Sequence, residues 1–238
     1  MKNSTPKTPH PPSASVTAEA MRRTPRVCSM DAPAMPATCS SVTGVIYLII
    51  GLVILSISFY HVSKKTNMEK RLVLSGVLTA IVVVATSLTI PSPMGIPMHF
   101  FIIPLVVFIL GPCNTSLVSF LALLVQALVL GEGGITTLGA NVLDMGIVLS
   151  FVVWGVYKLF FNINIRFAIF ISTLMGILAA TFAQIFILAA AGASSLNVLF
   201  ASLLPYYLMI GVMEGLITVV ILEFISKTNS AILEVEKV

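Results

Sequence analysis

From residue 42 to residue 225 the chain is almost continuously apolar, but breaks rich in proline and glycine cut it into pieces. Seven apolar segments can be drawn, at about 42–60, 72–90, 99–110, 117–130, 138–160, 167–191 and 199–225. A membrane crossing needs about 20 apolar residues, so the third and fourth segments are short and read as broken or re-entrant helices. Only 9% of the residues are charged and 58% are hydrophobic. A soluble domain carries about 25% charged residues. The fold class is therefore an all-α polytopic membrane protein of about seven transmembrane or partly re-entrant helices.

The ends differ in character from this body. Residues 1–29 are rich in Ser, Thr and Pro and hold five of the thirteen basic residues (Lys2, Lys7, Arg22, Arg23, Arg26) against one acid, Glu19. With no apolar run this stretch is not a secretory signal, and it is expected to be disordered. Met30 opens the sequence MDAPAMPATCSSVTG, so Met1, Met21 and Met30 are all candidate starts, and a start at Met30 would remove the whole basic stretch. The expected organisation is an extension at 1–29, a segment at 30–41 near the outer pocket, a helical bundle at 42–226 and a cytoplasmic tail at 227–238. From Met30 onward eight basic residues balance eight acidic ones, so the charge does not point to nucleic acid.

Orientation follows from the placement of Lys and Arg. Lys64, Lys65, Lys70 and Arg71 follow the first segment, Lys158 and Arg166 border the loop after the fifth, and Lys227 and Lys237 lie in the tail. The loops PSPMGIPM, GEGGITTLGAN and AGASSLN have no basic residue. With seven spans the two sets alternate, which places the N-terminus outside and the C-terminus inside. Cys28, Cys39 and Cys113 show neither CxxC nor zinc-ribbon spacing, so no structural disulfide is expected.

Polar groups at membrane depth are costly and mark function when they face a protein interior. His99 follows a loop containing Pro91, Pro93, Gly95 and Pro97. It reads either as an interhelical hydrogen-bonding group or as a metal ligand, imidazole being a common donor to divalent metals. Glu132 and Asn141 flank GGITTLGA, where Asn141 is placed to cap the fifth helix, and Asp144 follows three residues later on the same expected face. Glu214 sits mid-segment and needs a buried partner, for which the Gln126 and Gln184 amides are candidates. Met30, Met35, Cys39, Met94 and Met98 cluster near the expected outer mouth, where they fill gaps or soften a metal site. Small residues four apart, such as Gly76 and Ala80 or Gly176 and Ala180, read as close helix packing or as a face for another subunit. The sequence contains no Walker A, H-E-x-x-H or G-x-S-x-G motif, which argues against hydrolytic chemistry.

The blocks PSPMGIPMHFFIIPLVVFILGPC, VQALVLGEGGITTLGANVLDMGIV and LMIGVMEGLITVVI resemble the CbiM/NikM family, the substrate-binding membrane subunits of cobalt and nickel energy-coupling-factor transporters. The resemblance covers about residues 42–225. Members open with a Met-His-Ile-x-Asp/Glu-Gly segment whose nitrogens and histidine bind the metal, and a second histidine follows the second helix. His99 occupies that second position, while Met30 and Asp31 stand at the opening, with Asp31 in place of the histidine. Tyr207 stands where many members carry another histidine. The resemblance implies a metal site of His99, Met30 and Asp31, with Glu132, Asn141, Asp144, Glu214 and Gln126 as pocket or structural polar groups.

It further implies a multi-pass plasma-membrane subunit that captures Co²⁺ or Ni²⁺ as cargo, has no cofactor of its own and is not an enzyme. Its partners would be a membrane coupling subunit, cytoplasmic ATPase subunits and the lipid membrane, and its role would serve cobalamin synthesis or nickel enzymes. Two other readings stay open: capture of an organic nutrient on the same scaffold, and a non-transporting assembly or regulatory subunit.

Overall fold

Every backbone polar group in a lipid core must be satisfied within the protein, and the chain meets this almost entirely with helices. The computed structural model describes residues 41–64, 68–87, 89–91, 97–130, 134–192 and 195–229. The expected extension at 1–29 and segment at 30–40 lie outside them, as does the tail beyond 229. The first helices are α1 (Ser41–Ser63) and α2 (Met68–Ser87), followed by strands β1 (Thr89–Pro91) and β2 (Pro97–His99). Then come α3 (Ile103–Leu110) and α4 (Pro112–Val125), which continues into a π-helical segment, Gln126–Leu130. Next, α5 (Gly134–Asn141) passes through a second π-helical segment, Val142–Val148, into α6 (Leu149–Phe160). Helices α7 (Ile165–Ala190) and α8 (Leu196–Asn229) complete the order.

Among the described residues five stretches are long and apolar enough to cross a membrane: 44–63, 112–129, 137–160, 165–190 and 196–228. A shorter apolar helix covers Arg71–Ser87. Their outer faces carry exposed aliphatic side chains, for example Val45, Ile49 and Val53 on α1 and Leu216, Val220 and Phe224 on α8, as lipid-facing surfaces do. Hydroxyls on these helices return to the backbone: Thr79 donates to the Ser75 carbonyl at 2.7 Å and Ser87 to the Val83 carbonyl at 2.7 Å. Such bonds let polar side chains sit in an apolar environment.

The fourth segment is longer than hydropathy indicates, because the helix begins at Pro112 and not at residue 117. The polar triplet that interrupts the apolar run is buried and internally satisfied. Asn114 Nδ2 donates to the Leu110 carbonyl at 3.0 Å, Thr115 Oγ1 to the Gly111 carbonyl at 2.8 Å, and Ser116 Oγ to the Pro112 carbonyl at 3.0 Å. The third segment is short, as expected. At 1.5 Å per residue α3 covers about 12 Å, well below the ~30 Å of a hydrocarbon core. All eight of its residues are buried. A helix that is apolar all round belongs inside, and α3 packs against α2, α4, α6 and α8. Phe108 meets the Tyr157 ring of α6 edge-on, with centroids 5.3 Å apart.

The second segment also ends early as a helix, at Ser87, and passes into the two-stranded hairpin. Close helix contact is built at glycine. Gly176 of α7 faces Val153 of α6, so this member of the small-residue pattern serves packing within the chain, whereas Gly76 has no neighbour within 4 Å of a Cβ position. At the far end, Asn164 caps α7 by accepting from the Arg166 N–H at 2.9 Å, and Arg166 pairs with Glu223 of α8 at 2.8 Å.

Candidate functional site

The proline-rich break after α2 is shaped by backbone pairing. Strands β1 and β2 run antiparallel, with Thr89 opposite His99, Ile90 opposite Met98 and Pro91 opposite Pro97. Three residues after His99 the chain turns into α3 through Ile102, whose φ of 53° and ψ of −5° lie in the left-handed region. That region costs a non-glycine residue about 1–2 kcal/mol and is least suited to a β-branched one. Among the described residues Ile102 is the only non-glycine with positive φ. A strained residue of this kind persists only where its surroundings hold it.

Helix α8 supplies much of that hold. Glu214 Oε2 accepts a hydrogen bond from the Phe101 N–H at 3.3 Å. The Ile102 N–H is directed at the same carboxylate. The Phe101 ring stacks on Tyr207, with centroids 5.8 Å apart and planes at 22°. Tyr207 and Glu214 lie about two turns apart on α8, so one face of that helix grips both the ring and the backbone of the same segment. From the α3 side, the Val106 N–H donates to the Ile102 carbonyl at 3.3 Å.

Glu214 is 2% exposed, and among the described residues its Oε1 has no hydrogen-bond partner. The carboxylate borders a cavity of about 180 Å³ whose other walls, Thr218 apart, are apolar and include Ile102, Leu105 and Ile217. Asp144 is equally buried, in the second π-helical segment, where its Oδ1 accepts from the Met145 N–H at 2.6 Å. The Tyr207 hydroxyl is hydrogen-bonded with Gln184 of α7 and within electrostatic reach of Asp144. Contacts thus run from Gln184 through Tyr207 to Phe101 and on to Glu214, with Asp144 near Tyr207. π-Helical turns of this sort are frequent at functional sites. This one is braced by Ser116 Oγ of α4, whose single proton is shared between the Pro112 carbonyl and the Gly146 carbonyl, the latter at 3.1 Å.

The residues expected from the sequence fall into three groups. Asp144 and Glu214 belong to this buried layer. Gln126 and Asn141 do not. The Gln126 amide donates to Thr86 Oγ1 at 2.8 Å and ties α4 to α2, so it is not the partner of Glu214. Gln184 is not that partner either, being engaged with Tyr207, and backbone amides take the role. Asn141 makes no capping bond, because its φ of −64° and ψ of −33° are helical and the helix runs straight on into the π segment. Its three-residue spacing to Asp144 no longer sets a shared face, since the chain between them leaves the 3.6-residue period. Met30, Asp31 and Glu132 lie outside the described residues, as do Met35, Cys39 and Met94. For His99 the backbone is described, in β2, and the side chain is not.

Among the described residues no group of three or more His, Cys, Asp or Glu side chains is placed to hold a metal ion. The Phe101–Ile102 junction escaped the sequence reading. Its one signal was Pro104, since proline in a first helical turn marks a helix start and therefore a turn just before it.

Comparison with known proteins follows this geometry. The family described as CbiM, cobalt uptake substrate-specific transmembrane region, matches residues 36–232. The cobalt transport protein CbiM of Clostridium tetani is 31% identical over 198 residues, covering 80% of this chain and 82% of that one. A putative fused nickel transport protein NikMN of Archaeoglobus fulgidus is 33% identical over 196 residues, covering 82% of this chain and 65% of that one. A crystal structure of a truncated transition metal transporter superposes with a TM-score of 0.74 at 26% identity, covering 82% of this chain and 98% of that one.

Proposed function

Because this chain belongs to the CbiM family, we propose that it captures a divalent transition metal, Co²⁺ or Ni²⁺, as the substrate-binding membrane subunit of an energy-coupling-factor importer. The chain is a multi-pass membrane protein. The observation that carries the proposal is the family match along residues 36–232, which takes in every described helix. In this reading His99, at the end of the hairpin, gives the ion an imidazole nitrogen. Met30 and Asp31 supply the remaining donors, with the terminal amine available if the chain starts at Met30. Asp144 and Glu214 shape the buried layer beside the site, and Glu132 contributes from the second glycine-rich break.

The N-terminus lies outside and the C-terminus inside, following the Lys and Arg alternation. The sequence has no phosphate loop, so separate cytoplasmic ATPase subunits, joined through a membrane coupling subunit, drive release inward. The protein transports and does not catalyse. One sequence observation favours a second reading: Asp31 stands where relatives carry histidine, which suits capture of an organic nutrient on the same scaffold.

Isothermal titration with Co²⁺ and Ni²⁺ tests the proposal on wild type, His99→Ala and a form tagged ahead of Met30. His99→Ala should abolish tight binding and leave the protein folded, because the β1–β2 ladder shapes the backbone there. Wild-type binding should weaken as pH falls through about 6.5, where a typical imidazole takes up a proton and stops ligating. The tag should weaken binding if the amine is a donor. Unchanged metal affinity in His99→Ala removes His99 as a ligand, and the absence of tight Co²⁺ or Ni²⁺ binding by wild type overturns metal capture and favours the organic cargo.

A further inference from the structure

We infer that Glu214 is a positioning residue for metal capture: through the Phe101 amide, its carboxylate fixes the segment that presents His99. The inference rests on the proposed role of His99 and adds to it a residue on a different helix.

The backbone of His99 is held on one side by its pairing with Thr89. That ladder ends at residue 99, and α3 does not begin until Ile103. Between the two, the Phe101 N–H donates to Glu214 Oε2 of α8, and the Ile102 N–H is directed at the same carboxylate. The bond clamps the peptide plane joining Phe100 to Phe101. Only one residue then separates the clamp from His99, so rotation about Phe100 is the main freedom left to it. The junction is not self-supporting, because Ile102 occupies the left-handed region and would relax if released. Phe101 is itself buried, so its amide must find an acceptor inside the protein. The stacking of Phe101 on Tyr207 adds a second grip from the same face of α8.

A carboxyl at this depth is costly. Helix packing alone does not account for it, since no side chain of another helix hydrogen-bonds to Glu214 among the described residues and Oε1 is unpartnered. Groups that orient a metal's ligands from behind typically change metal affinity by about 10-fold to 100-fold when altered.

The test separates the reach of the acceptor from the ionisable carboxyl in the full-length protein in detergent. Glu214→Gln keeps the length of the side chain and an acceptor oxygen but removes the ionisable group. Glu214→Asp keeps a carboxyl but withdraws the acceptor by one methylene, about 1.5 Å. Co²⁺ affinity by calorimetry and the visible d–d absorption of bound Co²⁺ are read on both, beside wild type and His99→Ala, with metal-free melting curves as the folding control. Glu214→Gln should match wild type in affinity and spectrum, and folded Glu214→Asp should bind Co²⁺ about 10-fold or more weakly with an altered spectrum. Should the Asp variant not fold, Glu214→Met, similar in length and without an oxygen acceptor, takes its place with the same expected loss. The positioning role is overturned if Glu214→Gln loses as much affinity as Glu214→Asp, or if the shortened or acceptor-free variant binds as wild type does. The His99→Ala arm keeps the two ideas apart. Wild-type Co²⁺ affinity there overturns the role of His99 as a ligand, and with it the premise of the inference, whereas lost binding there with full binding in Glu214→Asp overturns the positioning role alone.

Discussion

At Gly139 helix α5 approaches the backbone of helix α1, and Gly139→Ala should show how much depends on that approach. A Cβ added at 139 would stand 2.6 Å from Leu48 Cα and 2.8 Å from the Tyr47 carbonyl carbon. Carbon atoms rest at about 3.5–4.0 Å, so α1 and α5 must part by about 1 Å. The obstacle is backbone, which no rotamer change removes. Overpacking costs about 1–3 kcal/mol, and the upper end applies here. Helix α1 has little else to rely on, since it packs on α4, α5 and the second π segment and presents Val45, Ile49, Val53 and Ile57 outward. Gly76→Ala provides the matched control, because a Cβ there meets nothing within 4 Å. Replacing a mid-helix glycine at an open position should stabilise by about 0.5–1 kcal/mol. The same chemical change should therefore differ by about 2–4 kcal/mol between the two sites. Reversible unfolding in mixed micelles, followed by the fluorescence of the single tryptophan, Trp154, reads the difference. Stabilities for the two variants within about 0.5 kcal/mol of each other would refute the close approach of α1 and α5.

Two further outcomes are expected. Ser116→Ala removes the donor to the Gly146 carbonyl and should cost about 1 kcal/mol in the same unfolding assay, while Ser119→Ala removes a buried hydroxyl with no partner among the described residues and should be neutral or stabilising. Single cysteines placed at Lys65 and Ser226 should react only with reagents on the cytoplasmic side, and one at Ser92 only from outside; an outward-facing residue 65 would reverse the assigned orientation.

The bundle was legible in the sequence because apolar length is what a bilayer selects. The segments drawn at 138–160, 167–191 and 199–225 reappear as the 137–160, 165–190 and 196–228 stretches with ends displaced by a few residues. Where hydropathy failed, it failed for a physical reason. Asn114, Thr115 and Ser116 look like a loop but spend their polar groups on carbonyls one turn back, so the helix starts before them. The buried layer was half legible. A lone carboxylate in an apolar run identified Glu214 as an interior group, while Asp144 was read only from its spacing to Asn141, and neither residue type nor spacing could disclose that the partner of Glu214 is a main-chain amide from a segment over a hundred positions away. The π-helical turn around Asp144 was equally hidden, because a change of helical period leaves no mark in residue type.

The complete enclosure of α3 bears on how the protein is made. A segment of about 12 Å cannot be handed to the bilayer as a finished span, and the walls that cover it include α6 and α8, which leave the ribosome after it does. Its final surroundings exist only once the chain is nearly complete. Until then its eight apolar residues need a temporary cover of lipid or insertion machinery. The hairpin that carries His99 joins α3 through three residues, so its strands reach their final surroundings late in biogenesis, and a chain truncated before α8 would reach the membrane with the Phe101–Glu214 bond unmade.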